Sequence, residues 1–126
     1  MNLALTSAAV LSVLIGIAHS ALGERLLLGP LFRRGELPRL LGSTTFTRNV
    51  LRFTWHLTTV LAIGIGVVIG YLASEPLDPN AVWILRALSI TFGASTLVSL
   101  IGARGKHFSW WVFLIITILL WVGSTP

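Results

Sequence analysis

LALTSAAVLSVLIGIAHSAL, residues Leu3 to Leu22, contains no formal charge and no proline. A bilayer core of about 30 Å is crossed by roughly 20 helical residues, so this run is long enough to span one. Three later runs are also predominantly apolar, at about 50–73, 82–101 and 108–122, the first of these free of formal charge between Arg52 and Glu75. Composition agrees: 55% of the 126 residues are hydrophobic and only 10% are charged, where a soluble domain carries about 25% charged residues. The mean hydropathy is +0.90. Backbone groups in hydrocarbon must be satisfied within their own segment, and long unalternating apolar runs suit helices rather than barrel strands. The expectation is an all-α protein, a four-transmembrane-helix bundle making a single integral membrane domain over residues 1–126.

The charges orient it. The connection at 24–47 and its flanks carry Arg25, Arg33, Arg34, Arg39 and Arg48, and the connection before the fourth span carries Arg104 and Lys106. The connection between the second and third spans carries only Glu75 and Asp78. By the positive-inside rule both basic connections are cytoplasmic, and both termini face outward. The N-terminus lacks the basic start of a secretory signal, so the first span is expected to be retained. The net charge of +5 is explained by anionic lipid headgroups at one membrane face, which makes lipid the expected partner and leaves no nucleic-acid role. There is no cysteine, hence no disulfide, no thiolate nucleophile and no cysteine-ligated metal.

Aromatic residues fall into the same layers. Tyr71, Trp83 and Trp121 belong to the outer boundary, and Phe46, Phe53, Trp55, Phe108, Trp110 and Trp111 to the inner one. The connection 24–47 is apolar in patches between its arginines and is expected to lie in the interface. Gly29-Pro30 and Leu37-Pro38 are expected to break it into short pieces, with Ser43-Thr44-Thr45 capping the second span. Phe53-Thr54-Trp55-His56 resembles Phe108-Ser109-Trp110-Trp111, a weak match that would relate two tandem helical hairpins in parallel orientation.

All three histidines of the chain fall in the inner layer. At roughly 1.5 Å per residue, His19 lies about 6 Å inside Gly23, and His56 a similar distance inside Arg52. Residues three, four and seven apart share a helix face. Ala8, Ser12, Gly16 and Gly23 share the side of His19, and Thr59, Ile63, Gly66 and Gly70 that of His56. Small residues let helices approach, and Gly66 to Gly70 is a GxxxG pattern, so Ser12, Gly16, Gly66 and Gly70 are the expected helix-packing residues. Both histidines are therefore expected to face the protein interior. Ionisable side chains inside a membrane point to function, whereas a neutral histidine that bonds a neighbouring helix is the structural alternative.

Two kinds of cofactor suit this layer. His19, His56 and His107, with Glu24 below them, can ligate a transition metal. Alternatively His19 and His56 can act as axial ligands of haem b, with arginines near its propionates. Without a cofactor, His19, Glu24, Arg52 and His56 form a site for a small anionic or quinone-like ligand, with Glu24 accepting from Arg52 or from a histidine. Arg86 is expected to snorkel toward Glu75 or Asp78.

HSALGERLLLGPLFRR, LPRLLGSTTFTRNVLRFTWHLTTV and GARGKHFSWWVFLIITILLW together resemble a group of small four-helix bacterial membrane proteins of uncharacterised activity. The likeness covers most of the chain, and rests on His19, Glu24, Arg52, Trp55, His56 and the Gly105-Lys106-His107 region. It implies a bacterial inner membrane and supplies no activity. Size and span number also resemble the small multidrug-resistance exporters, but the first span lacks the embedded glutamate those exporters use, and Glu24 lies beyond its end. Nothing in the sequence suggests a selectivity filter or a broken helix. A histidine-containing polar site and a non-catalytic accessory subunit, acting through helix contacts with a second copy or another membrane protein, are the two surviving expectations.

Overall fold

Asn2 sets the first helix: its carboxamide oxygen accepts from the Leu5 N–H, satisfying one of the donors a helix start leaves unpaired. From there α1 runs over Leu3–Gly23. The computed structural model describes residues 1–125, and within them the chain is helical almost throughout. After α1 come a π-helical turn at Glu24–Leu28, α2 at Gly29–Arg34, α3 at Thr44–Ser74, α4 at Pro79–Gly102 and α5 at Ser109–Gly123. Three stretches, Leu3–Arg34, Thr44–Ser74 and Pro79–Gly102, are long and apolar enough to cross a membrane. The last helix has 15 residues, about 22 Å at roughly 1.5 Å per residue. The chain is an all-helical membrane protein.

The expected break at Gly29-Pro30 does not occur. Proline lacks an N–H and its ring collides with the carbonyl four residues back in a regular helix. Here the turn before it widens, so that the Gly29 N–H reaches the Glu24 carbonyl five residues back, and the helix passes through Pro30 to Arg34. Gly35, at φ 74°, ends it in the left-handed conformation that glycine adopts freely. Residues between Gly35 and Ser43 then fold against the start of α3: Thr47 donates to the Pro38 carbonyl (2.6 Å) and accepts from the Leu40 N–H (3.0 Å). Ser43 is the cap of α3, as its hydroxyl accepts from Phe46 N–H.

The helices pair as α1 with α3 and α4 with α5, and α1 also packs on α5; α3 and α4, though consecutive, barely touch. The order across the molecule is thus α3–α1–α5–α4. Asn2 joins three of them at one end, its N–H on the Ala73 carbonyl and its carboxamide on the Gly123 carbonyl, both at 2.8 Å. Both described ends of the chain therefore lie with the Glu75–Asp78 connection, and the two basic connections lie at the opposite end. Buried residues follow helical spacing, Leu5, Ala8 and Ser12 on α1 and Leu85, Ser89, Phe92 and Thr96 on α4. The other faces expose apolar side chains such as Val60, Val67, Ile90, Val98 and Ile118, as a lipid-facing surface requires. Arg86 does not reach for Glu75 or Asp78; its guanidinium lies 3.7 Å from the centroid of Trp121, where the ring face attracts a cation.

Candidate functional site

Close approach of α1 and α3 creates the site at the basic end. The Cα of Gly16 faces Ala62, and a Cβ there would lie 3.0 Å from that of Ala62. Gly66 is tighter, with a Cβ position 2.7 Å from Val13 Cγ2 and 3.0 Å from the Ala9 carbonyl. At Gly70 the nearest atom is 3.7 Å away, so only the first glycine of the GxxxG pair is needed for contact. These glycines and Ser12, which donates to the Ala62 carbonyl at 3.0 Å, are used within the chain.

With the backbones this close, side chains at the basic end interlock. Trp55 lies flat on His19, ring centroids 4.3 Å apart and planes within 8°, and donates its indole N–H to the His19 carbonyl at 3.1 Å. The indole fills the place of a side chain at Gly23, where a Cβ would sit 2.1 Å from Nε1. His19 Nε2 is buried with no hydrogen-bond partner. Ser20, on the same side of α1 as Gly16, contacts both His56 Nδ1 and Thr59 Oγ1 at 2.7 Å, and Thr59 in turn reaches the Gly16 carbonyl at 3.0 Å.

The direction of this chain follows from its end. A carbonyl can only accept, so Thr59 donates to Gly16. Its single hydrogen being used, Thr59 must accept from Ser20, and Ser20 must then accept from His56. The network assigns the Nδ1–H form to His56. The other ring nitrogen lies 3.4 Å from Glu24 Oε2. Glu24 is also held by Arg52, through Nη2 at 2.6 Å and Nε at 3.2 Å, a two-point pairing of guanidinium and carboxylate. Glu24 and Arg52 remain partly solvated, their side chains 38% and 45% exposed. The π turn begins at Glu24 and so sets its position relative to α3.

The structure thus joins Glu24, Arg52 and His56 and sets His19 beside them against Trp55. His107 plays a separate part at the start of α5, where its exposed Nδ1 accepts from the Ser109 N–H at 3.2 Å. No group of three or more His, Asp or Glu side chains able to hold a metal ion occurs among the described residues. Both ring nitrogens of His56 are engaged, one on Ser20 and one facing Glu24, and the His19 ring is stacked on Trp55. The expected metal and haem ligation therefore has no support in this geometry. Ser20 was missing from the sequence expectation, although its place four residues after Gly16 put it on the buried face.

The chain matches no protein-family model, no curated protein and no solved structure.

Proposed function

We propose that this chain is a four-helix bundle of a bacterial inner membrane, with both termini outside, and that its working part is a proton-holding polar site at the cytoplasmic boundary. Grouping of Arg25, Arg33, Arg34, Arg39, Arg48, Arg104 and Lys106 at the end opposite both described termini supports that orientation. Glu24, Arg52 and His56 form the site, Ser20 and Thr59 direct it, and His19 with Trp55 closes its inner side. The observation that carries the reading is the one-way chain from His56 to Gly16, with a carboxylate against the free edge of the imidazole. A hydrogen shared between Nε2 and Glu24 is what the 3.4 Å approach of the carboxylate calls for, and it leaves His19 Nε2 as the one buried polar atom of the cluster without a partner. Because the chain ends on a carbonyl that has no proton to pass on, the site holds a proton and does not conduct it across the membrane. The exposed edges of Arg52 and His56 are where a small anionic ligand meets it.

Nitrogen-15 spectra of the histidine rings, taken on the full chain in lipid nanodiscs, test this. His56 Nδ1 should carry a hydrogen, and Ser20→Ala should shift that nitrogen while leaving His107 unchanged. A bare Nδ1 on His56 would overturn the reading. So would a Soret band or a stoichiometric transition metal in protein purified from its host, which would restore the haem or metal alternative.

A second reading, the accessory subunit, draws on the outer face of α4. Thr91 and Ser95 turn their hydroxyls back onto their own helix, at 3.0 and 2.9 Å from the Ala87 and Thr91 carbonyls, and with Ala94 and Val98 line an open groove beside Phe113. Small residues of this kind allow another helix to approach. Ala94→Leu should then lower the amount of oligomer in mild detergent, and an unchanged size distribution would remove this alternative.

A further inference from the structure

Two open grooves of similar size run along the lipid-facing helices, and they differ in chemistry. That on α4 and α5 has a volume of about 550 Å³ and is lined by Ile90, Thr91, Ala94, Val98 and Phe113 with two serines, without a charge. That on α3, about 590 Å³, is lined by Asn49, Arg52, Phe53, His56, Leu57 and Val60. Asn49 and Arg52 lie at the basic end of the helix and Leu57 and Val60 toward its middle, with Phe53 and His56 between them. From Asn49 to Val60 the helix rises about 16 Å at roughly 1.5 Å per residue, half the thickness of a bilayer core of about 30 Å.

Charge at the polar end is not balanced. Arg48 and Arg52 both lie over the ring of Phe32, 5.8 and 5.1 Å from its centroid. Glu24 pairs with Arg52, while Arg48 has no carboxylate within ion-pair distance among the described residues. Arg52 meets Glu24 through Nε and Nη2, so its Nη1 remains available. A guanidinium fixed in this way, beside a second cation and the Asn49 carboxamide, presents donors to the oxygens of a phosphate.

We propose that the α3 groove seats one anionic phospholipid, its phosphate on Arg52, Asn49 and Arg48 and one acyl chain along Phe53, Leu57 and Val60. The occupant is a membrane lipid because the polar and apolar ends of the groove are continuous along the helix, which a free phosphate would not use. The assignment deepens the reading of the Glu24–Arg52–His56 site by naming its anionic ligand. It rests on that reading for the placement of this end at the cytoplasmic headgroup layer.

Native mass spectrometry of the full chain from micelles tests the seat, with phosphatidylglycerol and phosphatidylcholine of identical chains supplied at equal concentration. One phosphatidylglycerol should be retained in about tenfold preference: both lipids offer the same phosphate, but phosphatidylcholine brings a quaternary ammonium toward Arg48 and Arg52, and a penalty of about 1.4 kcal/mol corresponds to that ratio. Arg48→Gln should reduce the preference. Val60→Trp, at a position that already faces lipid and so leaves the helix contacts intact, should reduce retention by filling the apolar end. Equal retention of the two lipids overturns the seat, as does retention unchanged in Val60→Trp or displacement of the lipid by an equal concentration of glycerol phosphate. The histidine spectra separate the two ideas. An Nδ1–H on His56 without lipid preference removes the seat alone, and lipid preference with a bare Nδ1 removes the proton reading alone.

Discussion

The α1/α3 and α4/α5 pairs are both antiparallel and both mostly apolar, yet they are joined by different means. Between α1 with its π-helical continuation and α3, polar contacts fill the half toward the basic end: Ser12 donates to Ala62, Thr59 to Gly16, His56 to Ser20, Trp55 to His19 and Arg52 to Glu24. Between α4 and α5 the equivalents are few, Ser89 on the Thr117 carbonyl at 2.9 Å and Ser99 with Ser109 at 2.5 Å, and the rest is apolar contact such as Phe92 with Phe113. Lipid tails are as apolar as leucine, so helices in a membrane gain specificity from close backbone approach and from hydrogen bonds. The first pair has both and carries the candidate site. The second supplies a support against which α1 is fixed.

If that contrast is real, substitutions in the first pair should cost more than their counterparts in the second. The largest effect is expected at Gly23, where alanine would place a Cβ 2.1 Å from Trp55 Nε1 and expel the indole from His19. A loss of about 3 kcal/mol is the upper part of the usual overpacking range, and thermal unfolding in detergent measures it. Gly66→Ala comes next, at about 2 kcal/mol, because one of its close neighbours is the Ala9 carbonyl, which cannot step aside as a side chain can. Its counterpart Gly93→Ala meets nothing nearer than Thr117 Cγ2 at 3.6 Å, and helix propensity favours alanine there by up to about 1 kcal/mol. Equal losses at Gly66 and Gly93 would break the comparison.

Hydrogen-bond deletions sharpen it further. Thr59→Val removes the link between Ser20 and the Gly16 carbonyl and should cost about 1.5 kcal/mol, near the top of measured values between membrane helices. Ser89→Ala, which removes a single bond to Thr117, should cost nearer the mean of about 0.6 kcal/mol. Equilibrium unfolding of the two variants side by side decides this. The smallest effect is expected near the Glu75–Asp78 connection, where Arg86→Gln gives up the contact with Trp121 for about 0.5 kcal/mol, readable as a change in indole fluorescence and a minor shift in unfolding temperature.

Much of this was legible from residue spacing. Ala8, Ser12 and Gly16 recur every four residues and are buried against neighbouring helices, and Gly66 follows Thr59 by seven on the same side of α3. Glu24 with Arg52 and His56 was among the expected pairings, since few other charges lie at that depth. Ser20 escaped notice because a serine inside an apolar run has many innocuous uses, and its importance depends on which partners α3 presents. The similarity between Phe53-Thr54-Trp55-His56 and Phe108-Ser109-Trp110-Trp111 was legible too, but the two tryptophans act differently. Trp55 donates across to α1, and Trp110 donates to Gly105 in the preceding turn.

Hydropathy, charge and helical period are properties of short runs of residues, so the helical membrane character, the basic end and the small helix faces could all be read directly from the residues. Tertiary structure alone decided the order α3–α1–α5–α4, the passage of the first helix through Pro30 and the direction of the hydrogen bonds at His56. Those depend on which backbones come within a few ångströms of each other, and on a carbonyl at Gly16 that becomes an acceptor for Thr59 only when α1 and α3 meet.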